Sequence, residues 1–234
     1  MGDSVTSGDA PRVSVVIPAY NEEGTIAEVI CRVFALPLDL EVIVVDDAST
    51  DRTAEVAASV DSRVRVLRHE TNEGKGSSIR LGLKQARGEI LVVQDADLEY
   101  YPEDLPTLVA LFDESAVDVV YGSRFLGGRP PMRFANYIAN RILTIAANLL
   151  FGGHITDEAT CYKLFRRRSL DGLNLTCTRF EFCPEVTAKL LRKGVRIHET
   201  PIRYDPRTYG QGKKITWRDG FVALWTLVKY RFVR

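Results

Sequence analysis

Carboxylates recur in this chain at the ends of apolar runs. Asp46 and Asp47 close one run, and Asp95, Asp97 and Glu99 close another. A single acid in such a place can cap a helix. Five at neighbouring run ends repel one another unless something positive sits among them. In Asp95-Ala96-Asp97-Leu98-Glu99 the acids fall at every second position, which in an extended segment points all three to one side. Two or three oxygens converging in this way suit Mg2+ or Mn2+, and they leave coordination positions open for a phosphate-bearing substrate.

Such a cluster needs a scaffold that gathers it. Residues 13–20 (VSVVIPAY) form a continuous run rich in β-branched side chains, which predicts a buried strand. A helical pattern capped by Asn21 runs from Glu22 to about Leu36 and stops at Pro37. The runs at 41–49 and 89–97 predict two more buried strands, 63–69 alternates as a strand, and 117–124 predicts another. Helical patterns separate them: one from Thr50, one from Gly74 to Arg87 with Gly88 as C-cap, and one from Pro102 to about Glu114. Buried strands alternating with helices of about 10–15 residues make a parallel α/β sheet. Ligands bind such sheets beyond the carboxyl ends of the strands, which is where the acids stand. After Arg124 the rhythm changes. A GGRPP loop (127–131) precedes a long amphipathic helix from Met132 to Phe151. Strands follow at 160–165 and 195–204, with a helix near Glu181–Lys193 between them, and Trp217–Phe232 forms a last helix. The expected organisation is a polar, disordered lead-in at 1–11, an α/β domain at 12–216 with halves 12–124 and 125–216, and an amphipathic helix at 217–234.

The 234 residues are 45% hydrophobic, with 31 basic against 31 acidic side chains. The zero balance hides a split: residues 1–123 hold 10 basic and 23 acidic residues, and 124–234 hold 21 basic and 8 acidic. The acidic half suits cations, and the basic half suits anions or an anionic surface. Neutrality without an interleaved aromatic–basic repeat argues against nucleic acid. Cys31, Cys161, Cys177 and Cys183 have no CxxC spacing and form no zinc pattern with the 3 histidines, so they read as reduced thiols of a cytoplasmic protein. No apolar run reaches the roughly 18 residues of a membrane span, and the first residues lack the regions of a signal peptide. Gly2 and Thr6 fit the loose myristoylation pattern, which is too short to carry weight.

PAYNEE (18–23), VVDDAST (44–50), NEGKG (72–76), DADLE (95–99) and GSR (122–124) occur in that order, followed by TDEATCYKLF (156–165), EF (181–182) and PIRYDPRTYGQGKK (201–214). Together they resemble the family 2 glycosyltransferases, and among them the dolichol- and polyprenyl-phosphate sugar synthases. The resemblance implies a GT-A fold: a Rossmann-like, mostly parallel sheet flanked by helices, with C-terminal amphipathic helices. It makes 12–124 the nucleotide-binding half and 125–216 the acceptor side. Pro18, Tyr20 and Glu22 would hold the base and ribose, Val45 and Asp47 would continue that pocket, and Asp95 and Ala96 would line its ribose side. Asp97 and Glu99 would ligate Mg2+ or Mn2+ at the diphosphate. Arg124 would contact phosphate, and Arg207 and Lys213 would sit in a basic loop closing over it, where a guanidinium binds phosphate bidentately. NEGKGSS lacks the GK[ST] of a P-loop, and its glycines suit close packing of strand and helix.

Asp157 is either a helix or turn cap or, with a hydroxyl acceptor, a general base. A phosphate monoester is already anionic near neutral pH and needs no base. Cationic positioning and stabilisation of the leaving nucleoside diphosphate then carry the catalysis. A lipid-phosphate acceptor requires reach to the bilayer. Phe134, Ile138, Ile142, Ile145, Leu149 and Leu150 form one apolar stripe, and Phe221, Leu224, Trp225, Val228 and Phe232 form another, extended by Trp217. Residues 201–234 add 8 basic against 2 acidic residues, which suits an interfacial helix, the alternative being that both stripes pack on the sheet. The sequence thus predicts an inverting, metal-dependent transferase. It moves a hexose from a GDP- or UDP-linked donor to a polyprenyl or dolichyl phosphate at the cytoplasmic membrane face, as a peripheral protein or bound to a membrane subunit. Two rivals are the same fold and donor with a soluble hydroxyl acceptor, and a non-catalytic nucleotide-sugar-binding scaffold.

Overall fold

The computed structural model describes residues 10–207 and 216–233. Residues 1–9 of the expected lead-in, Lys213 and Arg234 lie outside the described residues. Seven strands, β1 (Val13–Ala19), β2 (Leu40–Asp46), β3 (Val64–Arg68), β4 (Ile90–Val93), β5 (Val119–Ser123), β6 (Lys163–Arg166) and β7 (Ile197–Pro201), form one sheet in the order β3-β2-β1-β4-β6-β5-β7. β1 to β4 are mutually parallel and β5 is parallel to β7, while β6 runs antiparallel to both its neighbours. An even number of reversals separates β4 from β5, so the two point the same way. The carboxyl ends of β1, β2, β4, β5 and β7 therefore gather along one edge of the sheet, joined there by the entry to β6.

The strands form where the β-branched runs predict them. β1, β4 and β5 have every residue buried, as a parallel sheet covered on both faces requires. The covering helices are α1 (Ile26–Phe34), α2 (Thr53–Val60), α3 (Lys75–Gln85), α4 (Leu105–Ala110, with a tight 3-10 turn at each end), α5 (Phe134–Phe151), α6 (Arg167–Leu170), α7 (Phe182–Arg192) and α8 (Trp217–Phe232). Two expected caps move. Asn21 adopts a left-handed φ of 52° and accepts a hydrogen bond from Thr50 N–H at 2.9 Å, so it ties the loops after β1 and β2 together and the helix begins only at Ile26. α3 ends at Gln85 with Ala86 as its C-cap, short of Gly88. Gly82 lets α3 lie on the sheet: a Cβ there would stand 2.3 Å from Val16 Cγ1.

A second, smaller cluster of Leu143, Ala147, Ala188, Ala223, Leu227 and Tyr230 joins α5, α7 and α8. α8 docks through Ala223, Thr226, Leu227 and Tyr230, at intervals of three, one and three residues. Its aromatic stripe points the other way: Trp217, Phe221 and Trp225 are each about 70% exposed, and Phe232 is 81% exposed. α5 does the same, exposing Phe134, Ile138, Ile142, Ile145 and Leu149 while burying Leu143, Thr144 and Ala147. Neither stripe packs on the sheet. Among the described residues no helix is long and apolar enough to cross a membrane.

Candidate functional site

At the carboxyl edge the strand order reverses between β1, which leads to β2, and β4, whose successor lies on the far side. This is the crevice where open α/β sheets take ligands. Pro18 stands past the last β1–β4 pair, Val16 with Val93, so the two strands have parted where it sits. A cavity of about 1170 Å3 opens there. On the β1–β2 side it is lined by Pro18, Tyr20, Glu22 and Asp47, and on the β4 side by Asp95, Ala96, Asp97 and Glu99. Arg124, from the end of β5, and Arg207, beyond β7, face it from across the sheet. The cavity then runs on between α5 and α8, where Phe134, Ile142, Leu143, Phe221 and Leu224 make an apolar wall.

Two expected residues stand elsewhere. Val45 is fully buried within β2, faces α3 near Gly82, and does not line the cavity. Asp157 is fully buried and gives both carboxylate oxygens to Arg124: Nε donates to Oδ2 at 2.7 Å and Nη2 to Oδ1 at 2.8 Å. The backbone N–H of Arg124 adds a third bond to Oδ2 at 3.0 Å. Asp157 is therefore neither a cap nor a free base. It is the counter-ion that holds Arg124.

The acidic pentapeptide has a different shape from the one its spacing predicts. It is a turn, with Leu98 in the left-handed region at φ 61°, so the alternation of an extended segment does not apply. The turn still gathers its acids, because Glu99 N–H donates to Asp97 Oδ1 at 3.1 Å. Burial, with the charges of Asp95 and Glu99 beside it, pushes the Asp97 carboxyl up to about 7. Asp95 is matched by Lys75, whose ammonium lies 2.5 Å from Oδ1. Burial pulls the Lys75 pKa down, but Asp95 outweighs it and the net shift is upward. Glu99 accepts from Tyr204 Oη at 2.9 Å and from Arg207 N–H at 2.8 Å, which ties the turn to the segment after β7. The Arg207 guanidinium reaches Glu22 Oε2 at 3.0 Å, bridging that segment to the loop after β1. Asp47 accepts from Glu73 N–H at 2.9 Å and Gly74 N–H at 2.8 Å, so it fixes the start of α3 while lining the cavity. Gly74 is needed there: its φ is +95°, and a Cβ would stand 2.4 Å from Thr178 O. The NEGKG glycines thus admit the 178–179 loop, where the sequence suggested a strand.

A divalent cation fits this site by its charge. Asp97 lies beside the carboxylates of Asp95 and Glu99; burial first, and then these two charges, raise its pKa, with Lys75 acting the other way. Among the described residues no three His, Cys, Asp or Glu side chains are placed to hold a metal ion by themselves. Asp97 and Glu99 would hold such an ion together with oxygens that a ligand brings.

Sequence reasoning missed four residues. Lys75 lies inside the NEGKG motif, whose lysine was given no role of its own. Tyr204 places its ring 5.0 Å from the Arg124 guanidinium, and nothing in its spacing announces that. Glu158 is fully buried in the cavity wall, where burial pushes its carboxyl up; its adjacency to Asp157 was the available signal. Glu199 holds the Asp157 turn and left no signal of its own.

The sheet topology and its carboxyl-edge cavity define a protein of the GT-A class. Glucosyl-3-phosphoglycerate synthase from Mycobacterium tuberculosis, solved with Mg2+ and uridine diphosphate, superimposes with a TM-score of 0.73 at 21% identity, covering 96% of this chain and 80% of that one. With residues 14–173 matching the description "Glycosyl transferase family 2", the chain belongs to that family. It is 31% identical over 238 residues to the low-salt glycan biosynthesis hexosyltransferase Agl6 of Haloferax volcanii, covering 98% of this chain and 55% of that protein. It is 32% identical over 213 residues to the dolichol-phosphate mannosyltransferase of Pyrococcus furiosus, at 86% and 59% coverage. With the undecaprenyl-phosphate mannosyltransferase of Micrococcus luteus, identity is 31% over 216 residues and coverage is 86% and 87%. The chain thus spans a little over half the length of the first two relatives.

Proposed function

We propose that the chain is an inverting, metal-dependent hexosyltransferase that uses a GDP- or UDP-linked donor and a polyprenyl or dolichyl phosphate acceptor. The observation that carries the reading is the shape of one cavity. An acidic cradle with arginines opposite lies at one end, and an apolar passage between α5 and α8 leads from it to exposed apolar stripes. The named relatives that act on dolichol and undecaprenyl phosphates support it.

In this reading Pro18, Tyr20, Glu22 and Asp47 hold the base and ribose, with Asp95 and Ala96 on the ribose side. Asp97 and Glu99 hold Mg2+ or Mn2+, which when bound would neutralise charge on the leaving diphosphate. Arg124 and Arg207, with Lys213 from the undescribed segment, supply positive charge to the phosphates. The committed pairing of Asp157 with Arg124 favours a phosphate acceptor, since such an oxygen is already anionic and needs no base, whereas a hydroxyl acceptor does. The exposed stripes of α5 and α8 meet the cytoplasmic face of a membrane as a peripheral surface.

The test is incubation with Mn2+, labelled UDP- and GDP-hexoses, and either a short polyprenyl phosphate or soluble sugars. The expected product is a lipid-soluble phosphohexose with release of nucleoside diphosphate. Transfer to soluble hydroxyls alone overturns the acceptor, and binding of donor without turnover favours the scaffold.

A further inference from the structure

Glu199 lies in the middle of β7, opposite Tyr121 in the β5–β7 ladder, and does not line the cavity. Both its carboxylate oxygens are spent on the turn that leads toward β6. Oε2 accepts Thr156 N–H at 2.7 Å and Oε1 accepts Asp157 N–H at 3.1 Å. Two successive amides held by one carboxylate leave the turn little rotational freedom. The same turn is fastened to β5, because the Thr156 hydroxyl lies 2.6 Å from the hydroxyl of Ser123, the residue before Arg124. Asp157 then projects both oxygens at the Arg124 guanidinium and one of them at its backbone N–H.

β7 reaches Arg124 by a second route as well. Past its carboxyl end, Tyr204 sets its ring 5.0 Å from the guanidinium and is itself anchored by its hydroxyl on Glu99. β7 and the segment just past it therefore grip a buried cation twice, through a carboxylate behind a turn and through an aromatic face beside the cavity. A guanidinium lends bidentate charge to a phosphate only in a fixed plane, and a flexible arginine loses that geometry before it loses its charge.

We propose that Glu199 is a positioning residue for Arg124, acting through the Thr156–Asp157 turn and touching no substrate. The assignment rests on reading Arg124 as a phosphate contact, and its test has one arm that needs no substrate. In that arm, hydrogen exchange of the Arg124 Nε–H is followed by NMR in the wild type, Glu199→Gln and Glu199→Ala. Gln keeps the volume but turns an amide N–H toward one of the two donors. Both variants are expected to exchange at least about tenfold faster, with cooperative melting retained. In the second arm, kcat/KM for transfer is measured in a cycle with Arg124→Ala. Glu199→Gln should lower kcat/KM by about tenfold in the wild-type background and by less than about twofold when Arg124 is already gone. A residue that merely stabilises the fold would give the same loss in both backgrounds. Unchanged exchange, or equal losses in the two backgrounds, overturns the proposal. A wild type inactive with every polyprenyl phosphate counts against the proposed function, and the exchange arm alone then decides the relay.

Discussion

The β1–β2–β4 region and the α5–α8 face solve opposite problems with similar amino acids. In the first, valines and isoleucines are wholly buried, and the polar groups that the cavity needs stand only at strand ends, each tied to a partner: Asp47 to two amides, Asp95 to Lys75 and Glu99 to Tyr204. In the second, the inward contacts mix alanines and threonines with Leu143, Leu227 and Tyr230, while Phe134, Ile145, Leu149, Trp217, Trp225 and Phe232 face outward. The sheet buries its hydrophobic side chains to hold a rigid cavity edge, while the helices leave an apolar surface free. Exposed apolar area of this kind marks an interaction surface, because a monomer gains nothing by leaving it in water.

The contrast breaks most sharply at Asp97. If Asp97 holds the cation as proposed, Asp97→Asn removes that ligand without changing volume. Transfer should fall by at least about a hundredfold at saturating Mn2+, with the melting temperature unchanged or raised, since the crowding of three carboxylates is relieved. Full activity in this variant, or in EDTA, removes the metal from the mechanism.

Stability sharpens the same comparison. Ile43, fully buried in β2, should cost about 2–5 kcal/mol on truncation to alanine. Ile145 on α5 is 50% exposed, and the same truncation there should change stability by less than about 0.5 kcal/mol. Chemical denaturation of the pair checks both; equal losses would mean that the α5 stripe is covered in solution.

Arg207, beyond β7, ties two loops of the cavity edge together, with its backbone on Glu99 after β4 and its guanidinium on Glu22 after β1. Losing a charge-assisted contact costs about 1.5–3 kcal/mol, so Arg207→Ala should lower kcat/KM by about one to two orders of magnitude. A wild-type value would exclude the residue from the site.

The docking of α8 should depend on acid. Burial raises the Glu185 carboxyl, but hydrogen bonds from Lys189, Thr176 N–H and Tyr230 outweigh it and hold it at about 2, below its ordinary 4.5. A lowered pKa means that the stabilisation is present above 4.5 and is lost as pH falls toward about 2. Fluorescence of Trp225 and Trp217 in an acid titration should report α8 loosening in that window. Glu185→Gln should flatten the dependence.

How much of this was legible follows from the range of each interaction. Strand runs, and acids at strand ends, are local patterns, so β1, β2 and β4 and the acids at their ends stand in the sequence. The left-handed turn at Leu98 does not, because alternating acids suit an extended segment equally well. The pairing of Arg124 with Asp157 spans 33 residues and depends on β6 entering the sheet antiparallel, which no periodicity reports. The helical wheel of α8 found an apolar face correctly but could not say which face meets the protein. The docking face is smaller in volume and partly polar, so hydrophobicity ranks it second.

That inversion leads to the smallest effect on stability. If the outward stripe is a membrane surface, Trp225→Ser with Phe232→Ser should leave the melting temperature unchanged, because these side chains are 67% and 81% exposed. Binding to anionic vesicles at low salt should nevertheless weaken by at least about tenfold, since amphipathic helices hold an interface through buried apolar area. Arg218, Lys229 and Arg231 should contribute about 1 kcal/mol each, so high salt should release the wild type. Substituting the stripe is a cleaner test than deleting α8, whose Leu227 and Tyr230 belong to the buried cluster. Vesicle binding that survives the double substitution would remove the stripe from the interface. Absence of binding by the wild type would shift the reading toward a membrane subunit that covers α5 and α8, and the same two aromatics would then be the first place to look for its contacts.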